Sequence, residues 1–100
     1  MENIQKHYKV YFSVKYGVKF GQSISLIGDK EQLGQWKTPK VNLSWSKGNI
    51  WVLNDPVKLD SPKFCFKYVV VEGGNVVRWE EGDDRKIDLE AALQGESKTP

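Results

Sequence analysis

Hydrophobic and polar residues alternate along much of this chain. Residues 8–15 show the pattern most clearly, with Tyr8, Val10, Phe12 and Val14 separated by Lys9, Tyr11, Ser13 and Lys15. A spacing of two is typical of β-strands that bury one face. The same pattern predicts further strands over 24–28, 41–45, 50–53, 64–71, 76–79 and 86–89.

Glycine and proline interrupt the pattern at short intervals. Gly48-Asn49 marks a turn between two strands, and 72–75 marks another. Asp55-Pro56 and Ser61-Pro62 bracket a loop or a weak edge segment, because proline cannot donate to a strand ladder. Single helical turns are expected near 30–33 and 90–93. Short strands with frequent turns predict an all-β sandwich or barrel.

The chain of 100 residues predicts one domain, 1–100, with 1–7 and 95–100 as frayed tails. No apolar run approaches the roughly 20 residues of a membrane span, and the polar N-terminus lacks the apolar segment of a signal peptide. Cys65, the single cysteine, is expected to be a structural thiol in a reducing compartment. We therefore expect an intracellular protein, cytoplasmic or, if a transit peptide has been removed, plastidial.

Residues for catalysis or metal binding are scarce. His7 and Cys65 are the single histidine and cysteine, so we expect neither a metal site, nor a nucleophilic enzyme, nor any cofactor. The acidic pairs 80–81 and 83–84 raise the alternative of a compact glycosidase, which needs two carboxylates across a bond. A solvated turn is the favoured interpretation, because neighbouring strand residues point to opposite faces and so short a chain offers no deep cleft.

Two of the four tryptophans stand beside turns instead of within apolar runs. Trp36 ends the sequence Leu-Gly-Gln-Trp, and Trp79 opens the polar stretch 79–85. Exposing an indole leaves a large apolar surface in water. Such a ring is usually kept because something flat and partly apolar lies on it, although each ring could instead fold over the end of the core. A sugar has an apolar C–H face and a rim of hydroxyls, and Lys67, Glu80 and Asp84 supply a donor and acceptors for that rim.

This arrangement places a condition on the strand that carries Trp79. Lys67 faces outward if its neighbours Phe66 and Tyr68 face the core. Trp79 has the same strand parity as Val77, which we expect in the core. A bulge or turn near Arg78 is therefore required to direct Trp79 toward Lys67.

Several segments together resemble the family 20 carbohydrate-binding module, the starch-binding domain. They are Leu26-Ile27-Gly28, Leu33-Gly34-Gln35-Trp36, Trp51, Phe64-Cys65-Phe66-Lys67-Tyr68 and Trp79-Glu80-Glu81-Gly82-Asp83-Asp84-Arg85. The resemblance implies an immunoglobulin-like antiparallel β-sandwich, open-sided, of about seven strands. It also implies a non-catalytic module that binds α-1,4-glucan (starch, glycogen, maltooligosaccharides or cyclodextrin) and targets an attached enzyme or scaffold to polysaccharide. Within this family, the chain most resembles the intracellular type of module that is attached to phosphoglucan, water dikinase. This resemblance is carried by Leu43-Ser44-Trp45-Ser46.

The resemblance also implies which residues contact sugar. The family's first site falls on Trp36, Lys67, Trp79, Glu80 and Asp84, where Asp84 replaces the usual asparagine and loses its amide donor. A possible second site falls on Phe20, with Trp45 or Tyr16 as the second aromatic, although burial against the core is the favoured expectation for Trp45 and Trp51. The family normally ends with one more strand; either the terminal helical turn substitutes for it or the chain is cut from a longer protein.

Three other functions remain as alternatives. A single-stranded nucleic-acid-binding β-sandwich also stacks aromatics on flat rings, but its binding falls steeply with salt. The net charge of +2 is low for such a protein, and the acidic residues of 80–84 would repel phosphate. A protein-interaction sandwich would ignore maltodextrin. A glycosidase would release reducing ends from starch.

Overall fold

The computed structural model describes residues 7–92. The expected tails lie outside this range, apart from His7, and so does Leu93. Within it the chain forms ten strands and one 3-10 helix, followed by a helical turn over 89–92. They are β1 (Tyr8–Val10), β2 (Ser13–Lys15), β3 (Gln22–Gly28), the 3-10 helix (Glu31–Leu33), β4 (Val41–Asn42), β5 (Ser44–Ser46), β6 (Ile50–Val52), β7 (Val57–Leu59), β8 (Lys63–Glu72), β9 (Asn75–Trp79) and β10 (Arg85–Asp88).

The strands pair into antiparallel sheets. The largest has the order β10-β8-β3-β4, and β9 joins the same edge of β8 as β10. A second sheet has the order β2-β6-β5, and β1 pairs with β7. The sheets do not close into a barrel within the part of the chain that the structure describes. The predicted antiparallel β-sandwich is confirmed.

Two predicted strands are each divided in the structure. The run 8–15 forms β1, which pairs with β7, and β2, which pairs with β6. The run 41–45 breaks at Leu43, so that β4 pairs with β3 and β5 pairs with β6. Strands of a sandwich can change sheets at such corners. The weak edge segment expected between the two prolines is β7, and the expected helical turn before Gly34 is the 3-10 helix.

The core lies between the sheets. Phe12, at the break between β1 and β2, packs edge-on against Phe64 and Phe66 of β8, with ring centroids 6.1 and 5.0 Å apart. Trp51 is buried, as expected, and its indole N–H donates to the carbonyl oxygen of Tyr16 at 3.0 Å. Further buried members of this cluster are Ile24, Leu26, Leu33, Val41, Leu43, Leu59 and Val70.

The opposite face of the largest sheet carries the residues that matter for the site. Odd-numbered residues of β8 lie on this face, because Phe64, Phe66 and Val70 point into the core. Ile27 and Val69 are almost fully buried here although they lie outside the main cluster. The middle of this outer face is therefore covered by other parts of the chain. Lys67 lies beside both, opposite Ile27 on β3 and two residues from Val69 on β8.

After β10 the chain makes one helical turn over 89–92, which confirms the described part of the turn predicted at 90–93. The main-chain N–H of Leu89 donates to the carbonyl of Pro62 at 2.8 Å, and the side chain of Asp88 accepts from the N–H of Ala91 at 3.1 Å. No helix among the described residues has the length and apolar character needed to cross a membrane.

Candidate functional site

Trp36 is held in an unusual backbone conformation. Gly34, Gln35 and Trp36 have successive positive φ angles of 94, 49 and 58°. The left-handed region costs a residue with a side chain roughly 1–2 kcal/mol. Two main-chain hydrogen bonds fix the turn: Gln35 N–H donates to Lys30 and Trp36 N–H donates to Gly28, at 3.1 and 2.9 Å. This conformation leaves the Trp36 side chain 37% exposed.

Two glycines allow that turn to close on itself and to pack against the sheet. A Cβ on Gly34 would lie 1.8 Å from the carbonyl oxygen of Thr38. A Cβ on Gly28 would lie 2.5 Å from the carbonyl oxygen of Cys65 and 2.7 Å from the Leu33 side chain. Leu33, which is fully buried, can therefore dock directly on the end of β3. The Leu-Gly-Gln-Trp sequence is thus a compact support for the Trp36 side chain.

A β-bulge directs Trp79. Val71 pairs with Val76 and Val70 pairs with Arg78, so Val77 is the extra residue. The bulge predicted near Arg78 is confirmed, and the expectation that Val77 belongs to the core is wrong: it is 53% exposed because the bulge displaces it from the ladder. Beyond the bulge Trp79 lies opposite Val69, and cross-strand partners share a face of the sheet. Trp79, which is 46% exposed, is therefore on the same face as Lys67.

Lys67 occupies the gap between β9 and β10 along β8. Its Nζ donates to the carbonyl oxygens of Glu80 and Gly82, at 3.1 and 2.5 Å. An ammonium group has three donors, so two hold the connecting loop and the third is left for a ligand. Lys67 thus fixes the loop that follows Trp79.

Glu80 is also largely committed to holding this loop. Its Oε1 accepts from the main-chain N–H of Tyr68 at 3.1 Å, and its Oε2 accepts from Nε of Arg85 at 2.7 Å. The second guanidinium arm pairs with the same oxygen at 2.7 Å. Burial opposes ionisation of Glu80, but the hydrogen bonds from Arg85 and Tyr68, aided by the charges of Arg85 and Lys67, outweigh it and lower the pKa of the carboxyl.

Arg85 is a site residue that the sequence did not reveal. Its guanidinium carbon lies 5.1 Å from the centroid of the Tyr68 ring, and the Tyr68 hydroxyl donates to the carbonyl oxygen of Ser13 at 3.1 Å. Burial raises the pKa of Tyr68, so the hydroxyl stays a donor. Arg85 and Glu80 are brought together by the bend of the loop between them. A spacing of five residues matches neither the period of a strand nor that of a helix, so the sequence pattern does not predict this contact.

Asp84 lies on the same loop and is exposed, as are Glu81 and Asp83. The Asp84 carboxylate accepts no hydrogen bond from other groups within residues 7–92. Its carboxylate oxygens are therefore available to a ligand. In the same range no group of three histidine, cysteine or acidic residues is placed to hold a metal ion.

The four indole N–H groups separate into two classes. Those of Trp45 and Trp51 donate within the protein, to Asn49 Oδ1 and to the carbonyl of Tyr16, both at 3.0 Å. Those of Trp36 and Trp79 have no acceptor in the part of the chain that is described. The two tryptophans singled out in the sequence thus have both exposed rings and unused donors.

The structure brings most of the predicted first site together. Strand pairing and hydrogen bonds place Lys67, Trp79 and Glu80 side by side, and Asp84 follows on the same loop. Trp36 is anchored to Gly28, which lies opposite Phe66, one residue from Lys67. The two turns that carry the tryptophans therefore attach to the sheet on neighbouring positions.

The residues of the possible second site are more scattered. Phe20 is fully exposed at the tip of a turn closed by the bond from Gln22 N–H to Lys19. The expected burial of Trp45 is wrong: it is 58% exposed, because β5 is an edge strand with no described neighbour beyond it. Tyr16, 42% exposed, is joined to Trp45 through Asn49, whose main chain accepts from Tyr16. No hydrogen bond or strand pairing in the described range joins Phe20 to Trp45.

A small β-sandwich that presents two half-exposed indoles beside a lysine and acidic residues is a binding module of the kind that takes flat, polar-rimmed ligands. The family model CBM_20, described as starch binding domain, matches residues 7–99. The chain belongs to this family of starch-binding domains.

Two similar proteins are starch-binding domain-containing protein 1 from Rattus norvegicus and from Homo sapiens. The first is 34% identical over 80 residues, which cover 80% of this chain and 22% of that protein. The second is 30% identical over 87 residues, which cover 87% of this chain and 23% of that protein. The 4-alpha-glucanotransferase DPE2 of Oryza sativa subsp. japonica is 33% identical, over 83% of this chain and 9% of that protein. The chain thus spans less than a quarter of these relatives.

Two solved structures share the fold. A family 15 glucoamylase from Hypocrea jecorina superposes with a TM-score of 0.73 at 24% identity, over 83% of this chain and 14% of that chain. A gamma-CGTase from alkalophilic Bacillus clarkii gives a TM-score of 0.71 at 23% identity, over 83% of this chain and 13% of that chain. In both, the likeness covers a small part of a longer polypeptide.

Proposed function

We propose that this domain binds α-1,4-glucan on the face formed by Trp36, Lys67, Trp79, Glu80 and Asp84. The observation that carries the proposal is the pair of half-exposed indoles with unused N–H donors, supported on turns attached beside Lys67. Each indole offers a flat apolar surface for the C–H face of a glucose ring. The third donor of Lys67 and the oxygens of Asp84 suit the hydroxyl rim.

The expected strength of binding follows from the size of this face. Two stacked glucose rings would remove roughly 150 Å² of apolar surface from water, worth about 4 kcal/mol. A few hydrogen bonds add about 1 kcal/mol each. Association and side-chain ordering subtract several kcal/mol. A dissociation constant on the order of 10 µM to 1 mM remains.

Such weak binding is useful when the ligand repeats or when the module is tethered, since effective concentration then governs occupancy. We therefore propose a non-catalytic role: the domain brings an attached enzyme or scaffold to polysaccharide. Its similarity to short parts of longer proteins, one of them a glucanotransferase, supports tethering. Starch is the ligand that the family name indicates, and glycogen and maltooligosaccharides present the same α-1,4-linked rings.

Two further points stay predictions. A second sugar contact at Phe20 and Trp45 is supported by the exposure of both rings. An intracellular location, cytoplasmic or plastidial, is supported by Cys65, a free and partly buried thiol that a reducing compartment would preserve.

A single-stranded nucleic-acid binder is not favoured, because the exposed acids Glu81, Asp83 and Asp84 lie beside Trp79 and would repel phosphate. A calorimetric titration with β-cyclodextrin at low and high salt separates the two functions. Glucan stacking predicts saturable binding that changes little with salt, and no binding of a single-stranded oligonucleotide. Oligonucleotide binding that collapses with salt, without cyclodextrin binding, would overturn the proposal.

A further inference from the structure

An open groove with a volume of about 440 Å³ begins at Trp79 and runs between the edges of the two large sheets. β2 forms one wall and β9 with the loop after it forms the other, since both are edge strands. The floor is apolar and the rim is polar. The lining includes Val14, Ile24, Tyr68 and Val70 below, and Lys15, Tyr16, Arg78 and Glu81 above.

A second hollow of about 410 Å³ continues the groove away from Trp79. It shares Tyr16, Val70 and Arg78 with the first, and Lys19 and Gln22 lie at its far end. The two hollows therefore form one path along the protein surface. This path is large enough for an extended ligand, because typical small-molecule sites occupy about 300–1,000 Å³.

Arg78 stands at the junction of the two hollows. It lies opposite Val70, on the inner side of β9, and one guanidinium arm donates to the Tyr16 hydroxyl at 3.1 Å. A guanidinium has five N–H donors, so most remain for a ligand. Arg78 and Tyr16 bridge the gap between the sheets and also present a planar cation and an exposed ring to the groove.

The charges of the rim select the kind of ligand. Arg85 and Glu80 neutralise each other through their ion pair. Lys15, Lys19 and Arg78 are donors, whereas Glu81 is an acceptor that would repel an anion. An apolar floor with a rim of mixed charge suits a neutral polyol, whose hydroxyls both donate and accept.

We propose that this groove, the extension groove, binds further glucose units of the chain that stacks on Trp79. The inference rests on the proposed function of the Trp36 and Trp79 face and extends it. Trp79 lines one end of the groove, but its side chain points to the outer face and that of Arg78 to the inner side of β9. A linear glucan leaving the indole therefore crosses the edge strand β9 before it passes over Arg78 and Tyr16 toward Gln22. The extension groove makes affinity depend on the length of the linear chain.

The test compares maltoheptaose with β-cyclodextrin, which holds the same number of glucose units in a closed ring that cannot extend along the groove. Titrations use the unaltered protein, Arg78→Ala, Tyr16→Phe and the control Lys9→Ala, an exposed cation on β1. Arg78→Ala should weaken maltoheptaose binding at least about tenfold, as expected for lost hydrogen bonds to a charged group, and leave β-cyclodextrin binding unchanged. Tyr16→Phe should give a smaller loss for maltoheptaose, and Lys9→Ala none.

The outcomes separate the two proposals. If the unaltered protein does not bind β-cyclodextrin, the proposed function itself fails. If β-cyclodextrin binds but Arg78→Ala leaves maltoheptaose binding unchanged, or weakens both ligands equally, the extension groove is overturned. Thermal unfolding of each variant gives a second readout: Arg78→Ala should retain a cooperative transition, so that a loss specific to maltoheptaose cannot be attributed to unfolding.

Discussion

The ammonium group of Lys67 donates to the main-chain carbonyl of Glu80 at 3.1 Å, across the gap that separates β9 from β10. A side chain on the central strand thereby fixes the loop that begins immediately after Trp79. The same lysine retains a donor for sugar. Position 67 therefore contributes to binding both directly and through the loop.

Replacing Lys67 with alanine should weaken β-cyclodextrin binding by about 1–2 kcal/mol, because a charged hydrogen-bond donor is lost. Calorimetric titration measures the change. Lys58→Ala, which removes an exposed lysine from β7, is the control and should bind normally. Equal affinities for the Lys67 and Lys58 variants would place Lys67 outside the site.

The ion pair between Glu80 and Arg85 makes part of the stability depend on pH. The pKa of Glu80 is lowered below its ordinary value of 4.5 in the folded protein, so the stabilisation is fully present above that value. It is lost as the pH falls through the lower folded pKa. Glu80→Gln should therefore lower the melting temperature at neutral pH and make it fall less steeply below pH 4.5 than in the unaltered protein. Melting curves that differ by the same amount at every pH would contradict this assignment.

Asp84 is the clearest departure from the family pattern in the first site. Asparagine keeps an acceptor and restores an amide donor at an exposed position of the loop. Asp84→Asn should strengthen β-cyclodextrin binding by about 1 kcal/mol, the net worth of one hydrogen bond. Asp83→Asn is the matched control, since it removes the same charge from the same loop. An equal gain in both variants would show an effect of charge alone.

Much of the fold followed from residue alternation, since a period of two marks the buried face of each strand. The breaks in the strands at Phe12 and Leu43 could not be predicted, because a buried residue at a sheet corner continues the alternation of hydrophobic and polar residues. Trp45 and Trp51 illustrate a related limit. They lie opposite each other, yet Trp51 is buried on a central strand and Trp45 is exposed on an edge strand. The order of strands in the sheet determines which of the two tryptophans is buried, and the local sequence does not reveal that order.

Some residues of the candidate site could likewise be predicted from the sequence, and others could not. Trp36 and Trp79 could be found because indoles beside turns depart from the buried pattern, and the bulge could be inferred from the parity of Lys67 and Trp79. Arg85 could not be found, because its role depends on how the loop after Glu80 bends. The similarity to the dikinase-attached type also stays a prediction.

The most direct measurement is β-cyclodextrin affinity in Trp36→Ala and Trp79→Ala, with Tyr11→Ala as the control for loss of an exposed aromatic ring. Binding through stacked sugars predicts that each tryptophan variant loses most of its affinity while its far-ultraviolet circular dichroism and cooperative melting stay those of the folded domain, and that the Tyr11 variant binds normally. Folded tryptophan variants that bind β-cyclodextrin as tightly as the unaltered protein would contradict the account.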